Sequence, residues 1–139
     1  MATALTETKP RVGDTEKLTI NLGVVDLGQI DLLVQEGFYS NRSDLIRTAV
    51  RNLLATHAES VRQTVARRTL MLGLQHLSRA DLERAVAAGE TLRIQVVGLA
   101  RIDDDVPPEL ALAAIGSVSV LGAFHASPEV RKALVSRMV

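Results

Sequence analysis

Residues 17–22 read Lys-Leu-Thr-Ile-Asn-Leu, so Leu18, Ile20 and Leu22 alternate with Lys17, Thr19 and Asn21. This is the period of a half-buried strand. Gly23 closes the run, and helical patterns follow. Val25, Ile30, Leu33 and Val34 predict a first helix that stops at Gly37, the residue type favoured in a left-handed C-terminal turn. Ser40 offers an N-cap to a second helix, where Leu45, Ile46, Ala49, Val50, Leu53 and Leu54 recur at three- and four-residue spacing. The same helix is expected to run on through His57, Val61 and Val65, with Arg62, Arg67 and Arg68 along or beyond it. One strand and two helices in about 40 residues cannot bury an adequate core alone. A lone strand also leaves both edges unpaired. Two copies solve both problems by forming an antiparallel ribbon with interlocked helices, which predicts an obligate homodimer.

The alternating strand, the helix, the joint Gly37-Phe-Tyr-Ser-Asn-Arg-Ser-Asp44 and the second helix together resemble the ribbon-helix-helix family of CopG, Arc and MetJ type. The resemblance covers Glu16 to His57. Many members carry Pro directly after the strand, whereas this chain has Gly23, a difference expected to loosen the start of the first helix. The resemblance implies sequence-specific binding of double-stranded DNA, with the ribbon in the major groove and a role in transcriptional regulation, as in a repressor. It places base contacts on Lys17, Thr19 and Asn21, which share the face opposite Leu18, Ile20 and Leu22. Those side chains suit the groove: Lys donates to guanine, Asn pairs with adenine in bidentate fashion, and Thr reaches either base edges or a thymine methyl. Ser40, Asn41, Arg42, Ser43 and Arg47 surround the start of the second helix, where free amides and guanidinium groups can hold a phosphate. Such contacts fix position and not sequence.

Charge limits what this module does unaided. Sixteen Lys and Arg balance sixteen Asp and Glu over the 139 residues, so coating of nucleic acid by charge alone is excluded. Met1 to Leu70 carries nine basic and eight acidic residues, a net of +1. Specific binding must then lean on base contacts or on several dimers side by side, and Lys9 and Arg11 in a flexible tail (1–15) add a little. Only Phe38, Tyr39 and Phe124 are aromatic, too few for a single-strand stacking platform. There is no Cys, which removes disulfides and thiolate metal sites. No nucleophile–base pair, phosphate loop or dinucleotide fingerprint occurs, so no enzyme activity and no cofactor are expected. His57, His76 and His125 share no short spacing, and Asp103-Asp104-Asp105 reads as a solvated turn and helix cap.

The second half repeats itself. Gly73, Gly98 and Gly122 lie 25 and 24 residues apart, and each follows an apolar run. Ser78, Asp103 and Ser127, five residues after each glycine, are N-cap types and precede helix starts. The unit reads strand, turn, helix, with a period in the solenoid range. The fold class is therefore α+β: a ribbon-helix-helix domain (16–57), a helical linker (58–68) and a solenoid-like α/β repeat domain (69–139). The uncharged stretch Leu110 to Pro128 contains Gly, Ser and His and reads as a buried helix, a turn and a buried strand, not a membrane span. A cytoplasmic protein is expected. No polar cap closes the last repeat, which predicts that this half pairs with another copy. Alternative roles are a DNA-anchored polymer built through the repeats, or an antitoxin. The long patterned C-terminal half differs from the short segment with which antitoxins usually fold onto a toxin.

Overall fold

The computed structural model describes residues 15–139. It holds two compact units, Thr15–Thr64 and Val65–Val139. In the first, residues 15–23 form no strand. An alternating segment joins no ladder without a partner strand, and the described residues of this unit hold none. Helix α1 (Val24–Gln35) begins directly after Gly23, whose carbonyl accepts the Leu27 N–H at 2.9 Å. Gly23 has φ −59°, an angle that proline also adopts, so the helix start is sharp without proline. At the far end Phe38 N–H donates to Leu33 O (3.0 Å) and Gly37 N–H to Val34 O (3.1 Å), with Gly37 at φ +84°. These two bonds are the Schellman closure expected of a glycine stop.

Helix α2 spans Arg42–Thr56. Its N-cap is Asn41 and not Ser40: Asn41 Oδ1 accepts the Asp44 N–H at 2.8 Å, while Ser40 N–H donates to the Asp44 carboxylate at 3.0 Å. The cap moves by one residue because Asp44 stands three positions after Asn41, which closes the reciprocal bonds one step later. His57 ends α2, and α3 (Ala58–Arg67) follows at once, so the expected single long helix is broken at His57. No residue of Thr15–Thr64 is buried.

The second unit contains β1 (Met71–Leu77), α4 (Arg79–Ala87), β2 (Leu92–Ile102), α5 (Pro108–Ala114), β3 (Ile115–His125) and α6 (Pro128–Leu134). The strands form a parallel sheet in the order β1-β2-β3. The buried core lies between this sheet and the helices. Leu77, Ile94, Val96, Ile102, Ile115 and Val118 supply the sheet side, and Leu82, Ala111, Val130 and Leu134 the helix side. The sequence period becomes physical register: Gly73 pairs with Gly98, and Gly98 with Gly122. The glycines stand inside the strands, not at their ends. All three have φ between +120° and +137°, which lets the strand continue where an L side chain would force a turn. Ser78 and Ser127 cap α4 and α6 as expected, but α5 starts after Pro107, because residues after Asp103 first make a turn closed by Val106 N–H to Asp103 O at 3.2 Å. The expected turn between the Leu110 helix and the following strand is absent, since Ile115 both caps α5 and opens β3. Among the described residues no helix is long and apolar enough to cross a membrane.

The glycine rung is intolerant by geometry. A Cβ on Gly98 would stand 2.1 Å from the Gly73 carbonyl oxygen, whereas one on Gly73 meets nothing within 4 Å. Gly98→Ala should therefore cost at least about 3 kcal/mol, combining overpacking with backbone strain, against about 1–3 kcal/mol of strain alone for Gly73→Ala. Urea unfolding of the two variants measures the difference. The α4 cap gives a pH signature. Ser78 N–H, then the Ser78 hydroxyl, hold the Asp81 carboxyl below the ordinary carboxylate range. A depressed folded-state value stabilises above the unfolded value of about 3.9 and is lost as pH falls through the lower folded value. Acid unfolding of Asp81→Asn should accordingly show a weaker pH dependence below about pH 4 than wild type.

Candidate nucleic-acid interface

Lys17, Thr19 and Asn21 are all exposed, and so are Ser40, Asn41, Arg42, Ser43 and Arg47. On the opposite register of the same segment Leu18 is 83% exposed, and Ile20 and Leu22 are exposed as well. Eleven large apolar residues of the first unit are exposed, among them Leu32, Leu33, Leu53 and Leu54 on the two helices. In a unit whose described residues form no core, they make an apolar surface of the kind that marks an interaction site.

The start of α2 is organised by two carboxylates that sequence reading passed over. Asp44 is engaged by the amide of Ser40, and its own amide by Asn41. The Ser40 and Asp44 amides therefore have acceptors within the chain. Those of Arg42 and Ser43 remain in the first helical turn, where no intrahelical acceptor exists. Asp31 on α1 makes a bidentate pair with Arg42, Nε to Oδ1 at 2.7 Å and Nη2 to Oδ2 at 2.8 Å. The hydrogen bond from Arg42 holds the Asp31 carboxyl below its usual range, and the same bond raises the guanidinium above its ordinary value. Both side chains are about half exposed, so the pair is screened and serves mainly to set the angle of the guanidinium. Asp31 was legible only as a charged residue on α1; that it lies eleven positions before its partner and across the Gly37 turn is a tertiary fact.

In the second unit the register puts His76, Arg101 and His125 on one rung at the carboxyl end of the sheet. His76 Nε2 lies 2.5 Å from Asp103 Oδ1, so Asp103 closes a contact between the end of β1 and the residues after β2 instead of capping α5. His57 belongs to the first unit. Among the described residues no group of three or more His, Asp or Glu is placed to hold a metal ion.

Neither curated proteins nor solved structures gave a match to this chain. A family model did: the Ribbon-Helix-Helix transcriptional regulator family matches residues 13–131, which takes in the alternating segment, both helices of the first unit and nearly all of the β–α units. The match spans well over half of the sequence, and the chain belongs to the ribbon-helix-helix transcriptional regulator family.

Proposed function

We propose that the chain is a sequence-specific DNA-binding transcriptional regulator that works as a homodimer and inserts a two-stranded ribbon of residues 17–22 into the major groove. One observation carries this reading: the first unit has no buried residue, yet its apolar side chains fall on the strand register and helix faces that a second copy would cover. Covering a leucine contributes about 1.5–3 kcal/mol. A handful of Leu18, Ile20, Leu22, Leu32, Leu53 and Leu54 offsets an association cost of about 4–15 kcal/mol. In the ribbon Lys17, Thr19 and Asn21 of both strands point away from that core toward base edges. Arg42 reaches a phosphate with the donors that Asp31 leaves unused, since a guanidinium has five N–H groups and the pair occupies two. Ser40, Asn41 and Ser43 flank the same point and Arg47 lies on the next turn of α2.

The second unit supports a companion reading, in which the β–α units act as a short solenoid that links dimers along DNA. The observation favouring it is the set of exposed leucines on the two edge strands of the sheet, on the face away from the helices. Leu72, Leu74 and Leu121 are exposed, and Val97 shares a rung with Leu72 and Leu121. Parallel sheets ordinarily have both faces covered.

Selection of bound duplexes from a random pool at about physiological salt tests the main reading. A palindrome with closely spaced half-sites is expected; recovery of duplex without enrichment of any sequence would contradict it. Asn21→Ala should weaken the selected site by roughly 1–3 kcal/mol and leave random duplex unchanged. Equal loss on both would argue against base reading. Arg42→Ala should weaken all sequences alike and flatten the salt slope by about one unit per phosphate contact. Asp31→Ala, which releases the guanidinium, should instead raise affinity for random duplex. If Arg42 serves only to join α1 to α2, both substitutions weaken binding together.

A further inference from the structure

The glycine rung has a direction. A Cβ on Gly122 would meet the carbonyl oxygen of Gly98 at 2.1 Å, and one on Gly98 would meet that of Gly73 at 2.1 Å. Each glycine is thus required by the carbonyl of the strand before it. Gly73 keeps the same backbone, φ +133°, but among the described residues no strand lies before β1, and nothing stands within 4 Å of its Cβ position. At the other end the next carbonyl of the series, that of Gly122, belongs to a strand beyond which, among the described residues, no further strand lies. The missing neighbour of Gly73 and the unused carbonyl of Gly122 are complementary.

The lengths of the open edges agree. Among the described residues the outer side of β3 is paired only at Val118, by a parallel bridge to Met138 and a 2.9 Å bond from the Val139 N–H. Among the described residues Val120 to Phe124 have no ladder partner on that side. With Gly122 set opposite Gly73, those five residues face Met71 to Gln75, all within β1. The helix layer runs α4-α5-α6 by its contacts, and exposed Val86 on α4 and exposed Val135 just after α6 lie at its two ends. The apolar rung Leu72-Val97-Leu121 would continue without interruption into the next copy.

We infer that the second unit takes a second copy of itself by strand addition: β3 of one copy pairs in parallel with β1 of the next, with Gly122 opposite Gly73. The contact is heterologous, so it repeats head to tail instead of closing as a two-fold pair. It supplies a mode for the companion reading above, and it does not depend on DNA.

The chain lacks cysteine, so introduced thiols report cleanly. In the full-length protein Leu72→Cys with Leu121→Cys places the two thiols on adjacent parallel strands of different copies, about 4.8 Å apart in strand spacing and within disulfide reach. Within one copy β2 separates them by about twice that spacing, which is out of reach. Mild oxidation should give a ladder of covalent multimers from the double variant and no ladder from either single variant. Adding Gly73→Ala should abolish the ladder, because the new methyl group meets the incoming Gly122 carbonyl, while circular dichroism stays native. A ladder that persists with Gly73→Ala, or no ladder from the double variant, overturns the proposal. Val97→Cys, at the centre of the sheet, separates edge addition from face-to-face pairing. It should not link to itself, and efficient self-linking would mean face-to-face pairing and overturn edge addition.

Discussion

An unfilled core governs the first half of the molecule. Two helices and an alternating segment bring their apolar residues to the surface and bury none of them. No rearrangement of about 40 residues removes that deficit, because a chain this short has too little interior. The same deficit explains why residues 17–22 are not a strand in the single chain. Their backbone groups need a partner ladder, and their leucines need a partner surface. Dimerisation, the property the family brings, meets both needs in one step, and in our proposal it also creates the polar face that reads DNA.

The second half is governed by a different constraint, close approach of backbone at one rung. Three in-register glycines share one rung, and a side chain on Gly98 or Gly122 would collide with the carbonyl of the strand before it. Around that rung the core is completed on the helix side only. Among the described residues the protein thus joins a half that lacks a core to a half that has one and that exposes Leu72, Leu74 and Leu121 on the edge strands of its sheet. In our proposal both halves meet other copies of the same chain.

Much of this was legible in the sequence, for reasons that are local. The Lys17–Leu22 alternation, the Gly37 stop and the apolar spacing of α2 are properties of short windows, and they located the module and its family. The repeat of Gly73, Gly98 and Gly122 was legible as a period, but their place was misread. Glycine after an apolar run ordinarily ends a strand, and only the neighbouring strand's carbonyl explains a glycine inside one. The shift of the α2 cap from Ser40 to Asn41 followed from Asp44, whose carboxylate selects one of two adjacent cap types. The Asp31–Arg42 pair was not legible, since its geometry depends on how α1 and α2 meet across the turn. A residue read as a phosphate ligand is also a tie between helices.

Amide hydrogen exchange of the full-length protein, followed over residues 17–22 across a dilution series, tests the central claim most directly. The account predicts strong protection of these amides at concentrations where the dimer forms, lost on dilution, because the ribbon exists only between two chains. Free exchange of these amides at concentrations where the protein binds DNA would contradict it.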